Sequence, residues 1–284
     1  MADVPEGTSA IDCNLVGRVI RDQGVGVVIP KPGTGVGGAG LSITGDGDEL
    51  TVEVASDGTI SYPETRQESA TSTAGAADPG TTSASAIDAC SDTANSRTGH
   101  AEWGTYNWYV GDGGMPGALT QTSAATAFAD AINNITGSYN DCGLADEVGA
   151  SSNYQGSTSY ESDMTSSATC TEEDGKSTWD AGDLPSNFVA YNCWHYWVAS
   201  YDLYESDVRY NTTDHDFTND VTSSCSNKFD IRSVGTHEAG HTFGLGHATG
   251  TDHSNLTMYE SSWRCSESAR TLGYGDVLGL RGIY

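Results

Sequence analysis

The chemistry of this chain is concentrated in eleven residues, His237 to His247, which read His-Glu-Ala-Gly-His-Thr-Phe-Gly-Leu-Gly-His. Three imidazoles and one carboxylate at these spacings are what a tetrahedral zinc site with an open fourth position requires. Helical residues advance by about 100° each, so His237 and His241 project from one face a turn apart and can reach one ion. Glu238 then points to the side, where it can take a proton from a water at the open position and act as a general base. His247 lies too far along for a continuing helix to bring it to the same ion. The helix must therefore stop, and Gly244 and Gly246 permit the left-handed backbone with which helices commonly end. A His-x-x-x-His pair alone would more simply be two ordinary histidines, but five fixed positions together favour the metal.

Met258 stands eleven residues beyond His247, inside Leu256-Thr257-Met258-Tyr259, in a chain with only 4 methionines. With the histidine run, this resembles the metzincin metalloproteases, whose pattern is His-Glu-x-x-His-x-x-Gly-x-x-His followed by a methionine turn. The resemblance implies that Met258 forms a thioether floor beneath the zinc; a buried core methionine is the plainer alternative. Two further stretches resemble the matrixin branch. Gly275-Asp276-Val277-Leu278-Gly279-Leu280-Arg281-Gly282-Ile283-Tyr284 is similar to the last helix of a matrixin catalytic domain, and Ser206-Asp207-Val208-Arg209-Tyr210 to a strand upstream of the active-site helix. The resemblance covers roughly residues 99–284 and implies a zinc endopeptidase acting on protein or peptide substrates.

There are departures from the matrixin pattern. Ala248 follows the third histidine where Ser or Thr is usual. Gly275 replaces the first acid of the C-terminal pair, which removes a group that would capture a new amino terminus. Tyr259 adjoins the methionine directly, one position too early for the tyrosine ligand of other branches. No structural-zinc and calcium segment is recognisable. Calcium remains a candidate second ion, at the Gly45-Asp46-Gly47-Asp48 turn or at Asp214, Asp216 and Asp220, although a hairpin turn and solvated acids are the simpler readings.

Lys and Arg number 12 against 39 Asp and Glu, a formal charge of −27. Such self-repulsion is largely screened at molar salt, so the composition reads as adaptation to a hypersaline medium. An acidic binding surface for a cationic partner is the alternative, and a nucleic-acid role is disfavoured because no basic patch exists to neutralise phosphates. Seven cysteines, Cys13, Cys90, Cys142, Cys170, Cys193, Cys225 and Cys265, are dispersed without a Cys-x-x-Cys pair. They suggest disulfides and an extracellular setting, with Cys142 to Cys170 and Cys225 to Cys265 as expected bridges and one thiol left over. Cys90, ahead of the catalytic region, could alternatively place an inhibitory thiolate on the zinc. Residues 1–17 contain no Lys or Arg and no apolar core, so no signal peptide is expected, and no 18-residue apolar run exists to span a membrane.

Three regions position the motif. Residues 1–65 read as a small all-β domain, with short runs at Leu15 to Ile20, Val25 to Ile29 and Leu50 to Val54. Residues 66–98, rich in Ser, Thr, Ala and Gly, read as a linker. Residues 99–284 read as a metzincin-like α/β catalytic domain with a mostly parallel twisted sheet, its cleft between an edge strand and the Met258 turn. Within it, Tyr106, Trp108 and Val110 alternate as a strand. Ala125, Phe128, Ile132 and Ile135 fall at helical spacing between a Thr122 or Ser123 cap and Gly137. Residues 138–186 read as a polar surface excursion, and the aromatic run Phe188 to Tyr204 as core. His100, His195 and His215 read as structural, and His253 as a candidate support for the ligands. A different class of function is a structural or adhesive component of an extracellular particle such as a virion, docked through the N-terminal β domain. Glu238 weighs against it, since a structural zinc site needs no base.

Overall fold

The computed structural model describes residues 4–45, 48–63, 66–68 and 86–284. The chain opens with β1 (Val19–Asp22), β2 (Val25–Val28), β3 (Thr34–Ser42), β4 (Glu49–Val54) and β5 (Ile60–Ser61). Short strands β6 (Arg66–Glu68) and β7 (Asn95–Arg97) follow, then β8 (Thr105–Val110) and helix α1 (Gln121–Thr136). The middle of the chain holds β9 (Ser151–Ser157), β10 (Met164–Thr165), β11 (Thr169–Cys170), β12 (Ser177–Gly182), β13 (Phe188–Trp197) and β14 (Asp202–Asn211). Strands β15 (Asp216–Thr218) and β16 (Lys228–Asp230) lead into α2 (Ile231–Thr242), β17 (Leu245–Gly246) and α3 (Tyr274–Arg281).

Eight strands form the main sheet, in the order β5-β4-β3-β13-β14-β12-β8-β9. Pairing is parallel from β9 through β8 and β12 to β14, and antiparallel from β14 through β13, β3 and β4 to β5. The sheet is therefore mixed where a mostly parallel one was expected. The antiparallel half comes largely from the N-terminal region: β3, β4 and β5, expected within a separate domain over 1–65, continue the sheet of the catalytic region. Alternation along β13 explains the two cores. Ala190, Trp194 and Tyr196 face the core shared with α1 and α2, while Tyr191 and Cys193 face one built with Ile20, Val27, Val36 and Val52.

Strand β3 is Thr-Gly-Val-Gly-Gly-Ala-Gly-Leu-Ser, a composition that reads as loop rather than strand. Its glycines are needed for close approach: an ideal Cβ at Gly37 would lie 2.4 Å from the Trp194 ring, and one at Gly40 2.4 Å from Phe188. The aromatic side chains of β13 fold across a bare backbone.

Helix α1 begins at the Thr120 cap, whose side chain accepts from the Ser123 amide, a little before the expected Thr122 or Ser123, and ends at Gly137. Residues 138–186 are not a surface excursion. They contribute β9 and β12 to the main sheet, and Trp179 is fully buried, because short polar strands are stabilised by partners distant in sequence. The turn signal at Asp46-Gly47 and residues 69–85 of the expected linker lie outside the described residues. The flanking part is tied to the catalytic region: β7 pairs with both β6 and β17, and the Ile87 amide donates to the Asp252 carbonyl.

Three disulfides form, Cys90–Cys142, Cys170–Cys193 and Cys225–Cys265. The last is as expected. Cys142 does not pair with Cys170, because β11 brings Cys170 against Cys193 of β13, with Cα atoms 5.6 Å apart. Cys13 is the free, exposed thiol. Among the described residues no helix is long and apolar enough to cross a membrane.

Candidate metal centre

Helix α2 carries the first two histidines. Asp230 caps it by accepting from the Ser233 amide at 2.8 Å, and Arg270 holds the same carboxylate at 2.7 Å. The helix ends where Gly244 takes φ +92°, and a Cβ there would stand 2.3 Å from the His100 carbonyl oxygen. Both the conformation and the space thus require glycine at this turn. The chain then enters β17, which pairs with β7, and so returns His247 to the helix face.

The Nε2 atoms of His237, His241 and His247 converge, at 3.1 Å for His237 to His241, 3.1 Å for His241 to His247 and 3.2 Å for His237 to His247. Three nitrogens at tetrahedral positions about 2.0–2.1 Å from a zinc ion would be about 3.3 Å apart, so the donor set fits zinc. The remaining ring nitrogens support that fit. Nδ1–H of His237 donates to the Thr257 carbonyl at 2.8 Å and that of His241 to the Leu245 carbonyl at 2.9 Å, which turns each Nε2 lone pair inward. Burial keeps both rings neutral, lowering the pKa of His237 to about 4 and that of His241 well below its ordinary value. Trp194 stacks on His241 at 6.0 Å between ring centroids.

Glu238 is fully buried, and burial raises its pKa well above the ordinary carboxylate value. Neither carboxylate oxygen makes a well-formed hydrogen bond among the described residues; the backbone N–H of Leu41 faces the group and draws its pKa partly back. A buried, unsatisfied carboxylate is costly to fold around and points to chemistry at this spot. Asn192 of β13 fixes the helix that bears it, donating to the Glu238 carbonyl at 2.8 Å and to the Thr242 hydroxyl at 2.9 Å.

Met258 lies beneath the helix, its sulfur against Gly240, where a Cβ would approach it to 2.2 Å. The turn that presents it hangs on Asp276, whose carboxylate accepts from the amides of Gly273, Thr257 and Met258 at 2.8, 2.9 and 3.1 Å. Since Thr257 also receives the His237 proton, Asp276 positions a histidine it does not touch. Sequence reasoning did not assign Asp276 this task; its place as the remaining acid of the C-terminal pair was the available signal. A side chain at Gly275 would meet the Ala94 carbonyl at 1.9 Å, so the segment before β7 fills the space of the missing acid.

The other candidates fall elsewhere. Cys90 is in a disulfide and has no thiolate to offer. His253 pairs with Asp92 at 2.9 Å. His195 is buried away from the triad, and His100 sits behind α2, its Nε2–H donating to the His241 carbonyl at 3.0 Å. Tyr259 pairs by its backbone with Ala248. Among the described residues, metal-competent groups are the histidine triad and Asp163, Asp174 and Glu205; Asp214, Asp216 and Asp220 do not form one.

A cleft was expected between an edge strand and the Met258 turn. In the structure β13, the strand tied to α2, is not an edge, because β3 pairs along it. A small cavity of about 20 Å³ remains beside His237, lined by Leu41, Leu256, Thr257, Ser261 and Trp263 among others.

Residues 141–284, just over half of the chain, match the sequence profile of the matrixin family. No curated protein matches the chain.

Proposed function

The chain belongs to the matrixin family of metallopeptidases, and from that premise we propose that it is a zinc-dependent endopeptidase working outside the cell at high salt. His237, His241 and His247 hold the metal and Glu238 is the general base. The observation that carries this reading is the convergence of three Nε2 atoms within 3.2 Å beside a buried carboxylate that makes no well-formed hydrogen bond among the described residues. The cofactor, when bound, supplies a Lewis acid that lowers the pKa of a water and polarises the peptide carbonyl. Glu238 accepts the water proton as the oxygen attacks and delivers a proton to the leaving amine. Thr257 and Leu245 keep the two helical imidazoles turned inward, and Asn192 holds the backbone of Glu238 against the sheet. Three disulfides and the charge of −27 support the extracellular, high-salt setting.

The test is incubation of the zinc-loaded chain with an unstructured protein in molar salt over hours, beside Glu238→Gln and a chelator-treated sample. Products are expected in the first alone, with equal zinc content in Glu238→Gln. A fully zinc-loaded chain that cuts neither the substrate nor itself would sink the reading.

A further inference from the structure

An endopeptidase must hold an extended peptide past its general base, and peptides are commonly held by adding a strand to an exposed sheet edge. The edge available to this site belongs to β13, which Asn192 ties to α2. It is already filled. Strand β3 lies along it antiparallel, from Thr34 opposite Trp197 to Leu41 opposite Ala190, and after a bulge at Val189 Ser42 stands opposite Phe188. The end of β3 is gripped from the other side as well. The Ser42 amide donates to the Glu260 carbonyl at 3.2 Å and the Ser262 amide to the Ser42 carbonyl at 3.1 Å, a parallel pairing with the segment after the Met258 turn.

Between these two walls Leu41 is placed as a reacting residue would be. Its side chain lines the cavity beside His237 with Leu256 and Thr257, on the strand that covers β13. The peptide bond that enters this cavity from the N-terminal side is therefore Gly40–Leu41. Resting on the peptidase reading, we propose that β3 occupies the site's own peptide groove as a substrate-like strand, and that the chain cuts itself between Gly40 and Leu41. In that step a water oxygen bonds to the Gly40 carbonyl carbon, the bond from that carbon to the Leu41 nitrogen breaks, and Glu238 passes the water proton to that nitrogen. The products are a carboxylic acid at Gly40 and an amine at Leu41.

Until the cut, no other chain can enter the groove. After it, the upstream segment has no covalent hold, since the three disulfides join cysteines between positions 90 and 265 and Cys13 is free.

The full chain, prepared with chelator and then given zinc in molar salt, is followed by intact mass and N-terminal sequencing. A fragment beginning at Leu41 is expected in the wild type and not in Glu238→Gln, with cleavage of an added unstructured peptide rising in step. Cleavage of the added peptide from the first minute by a chain that stays intact would overturn the proposal while leaving the peptidase reading standing. A second readout needs no activity: binding of a fluorescent peptide with the sequence of residues 36–45 to the full chain carrying Glu238→Gln, measured by polarisation. Adding Leu41→Asp should tighten that binding at least about tenfold by unseating β3; Leu41→Ala serves if the aspartate variant does not fold and bind zinc. Equal binding with and without the Leu41 substitution would show that β3 does not fill the groove. The same tightening in a chain that cuts nothing would separate an occupied groove from a failed peptidase reading.

Discussion

His237 is held by a sequence of two contacts that ends at Asp276. Its Nδ1 bonds to the Thr257 carbonyl, the Thr257 amide bonds to Asp276, and Asp276 takes two further amides. Burial raises the Asp276 pKa to about 6 against the pull of those three N–H groups, so the carboxylate is ionised at neutral pH and its loss would leave donors unsatisfied. Asp276→Asn should weaken zinc binding about tenfold, in the range typical of groups that orient a ligand from behind. Competition against a chelator of known affinity measures it, and unchanged affinity would show that the Met258 turn holds without the acid. Glu238→Gln should act differently, lowering kcat/KM by about 10²–10⁴ with zinc affinity little changed.

The helix-to-turn junction at Gly244 shows which elements the sequence could announce. Its φ of +92° and the His100 carbonyl 2.3 Å from a would-be Cβ mean that Gly244→Ala should destabilise by about 1–3 kcal/mol and displace His247. Denaturant unfolding together with zinc content would measure both effects, and an unperturbed variant would mean the turn has other freedom. This junction was legible because ligand spacing and glycine placement are local facts. Helix α1 was legible for the same reason, through Phe128, Ile132 and Ile135 at one face. Strand β3 was not, because Gly-Val-Gly-Gly-Ala-Gly has no strand preference of its own; Trp194, Tyr191 and Phe188 across the sheet supply it. The strands within 138–186 were hidden likewise, their hydrogen-bond partners lying in β8 and β14 rather than nearby. The convergence of His237, His241 and His247 could be read from their spacing, whereas strand β3 depended on a partner more than a hundred residues away.

For the whole molecule, charge sets the conditions of stability. A net charge of −27 repels itself over about 10 Å at 0.1 M salt and about 3 Å at 1 M, so the melting temperature should climb between those concentrations. With the surface screened, buried groups define the pH limits. Burial lowers the pKa of His195 to about 4 from 6.5, Glu173 opposing and Lys31 reinforcing the shift. A depressed folded pKa contributes stability that is present above 6.5 and lost as pH falls toward 4. Asp163 and Glu205 act in the opposite sense: burial first holds both above the ordinary carboxylate range, the Asp174 charge adding to the shift of Asp163 and the nearby Asp163 to that of Glu205. Their contribution is complete in acid and is lost as pH rises through those raised values. Melting curves at molar salt should therefore peak between the two limbs, with the acid limb shallower in His195→Phe and the alkaline limb shallower in Glu205→Gln. Chelator-treated protein is the sample to use, since ligand protonation would otherwise release zinc along the acid limb. If His195→Phe tracks the wild type from pH 6.5 to 4, the acid limb arises elsewhere, with His100, whose pKa burial also lowers to about 4, the next group to substitute.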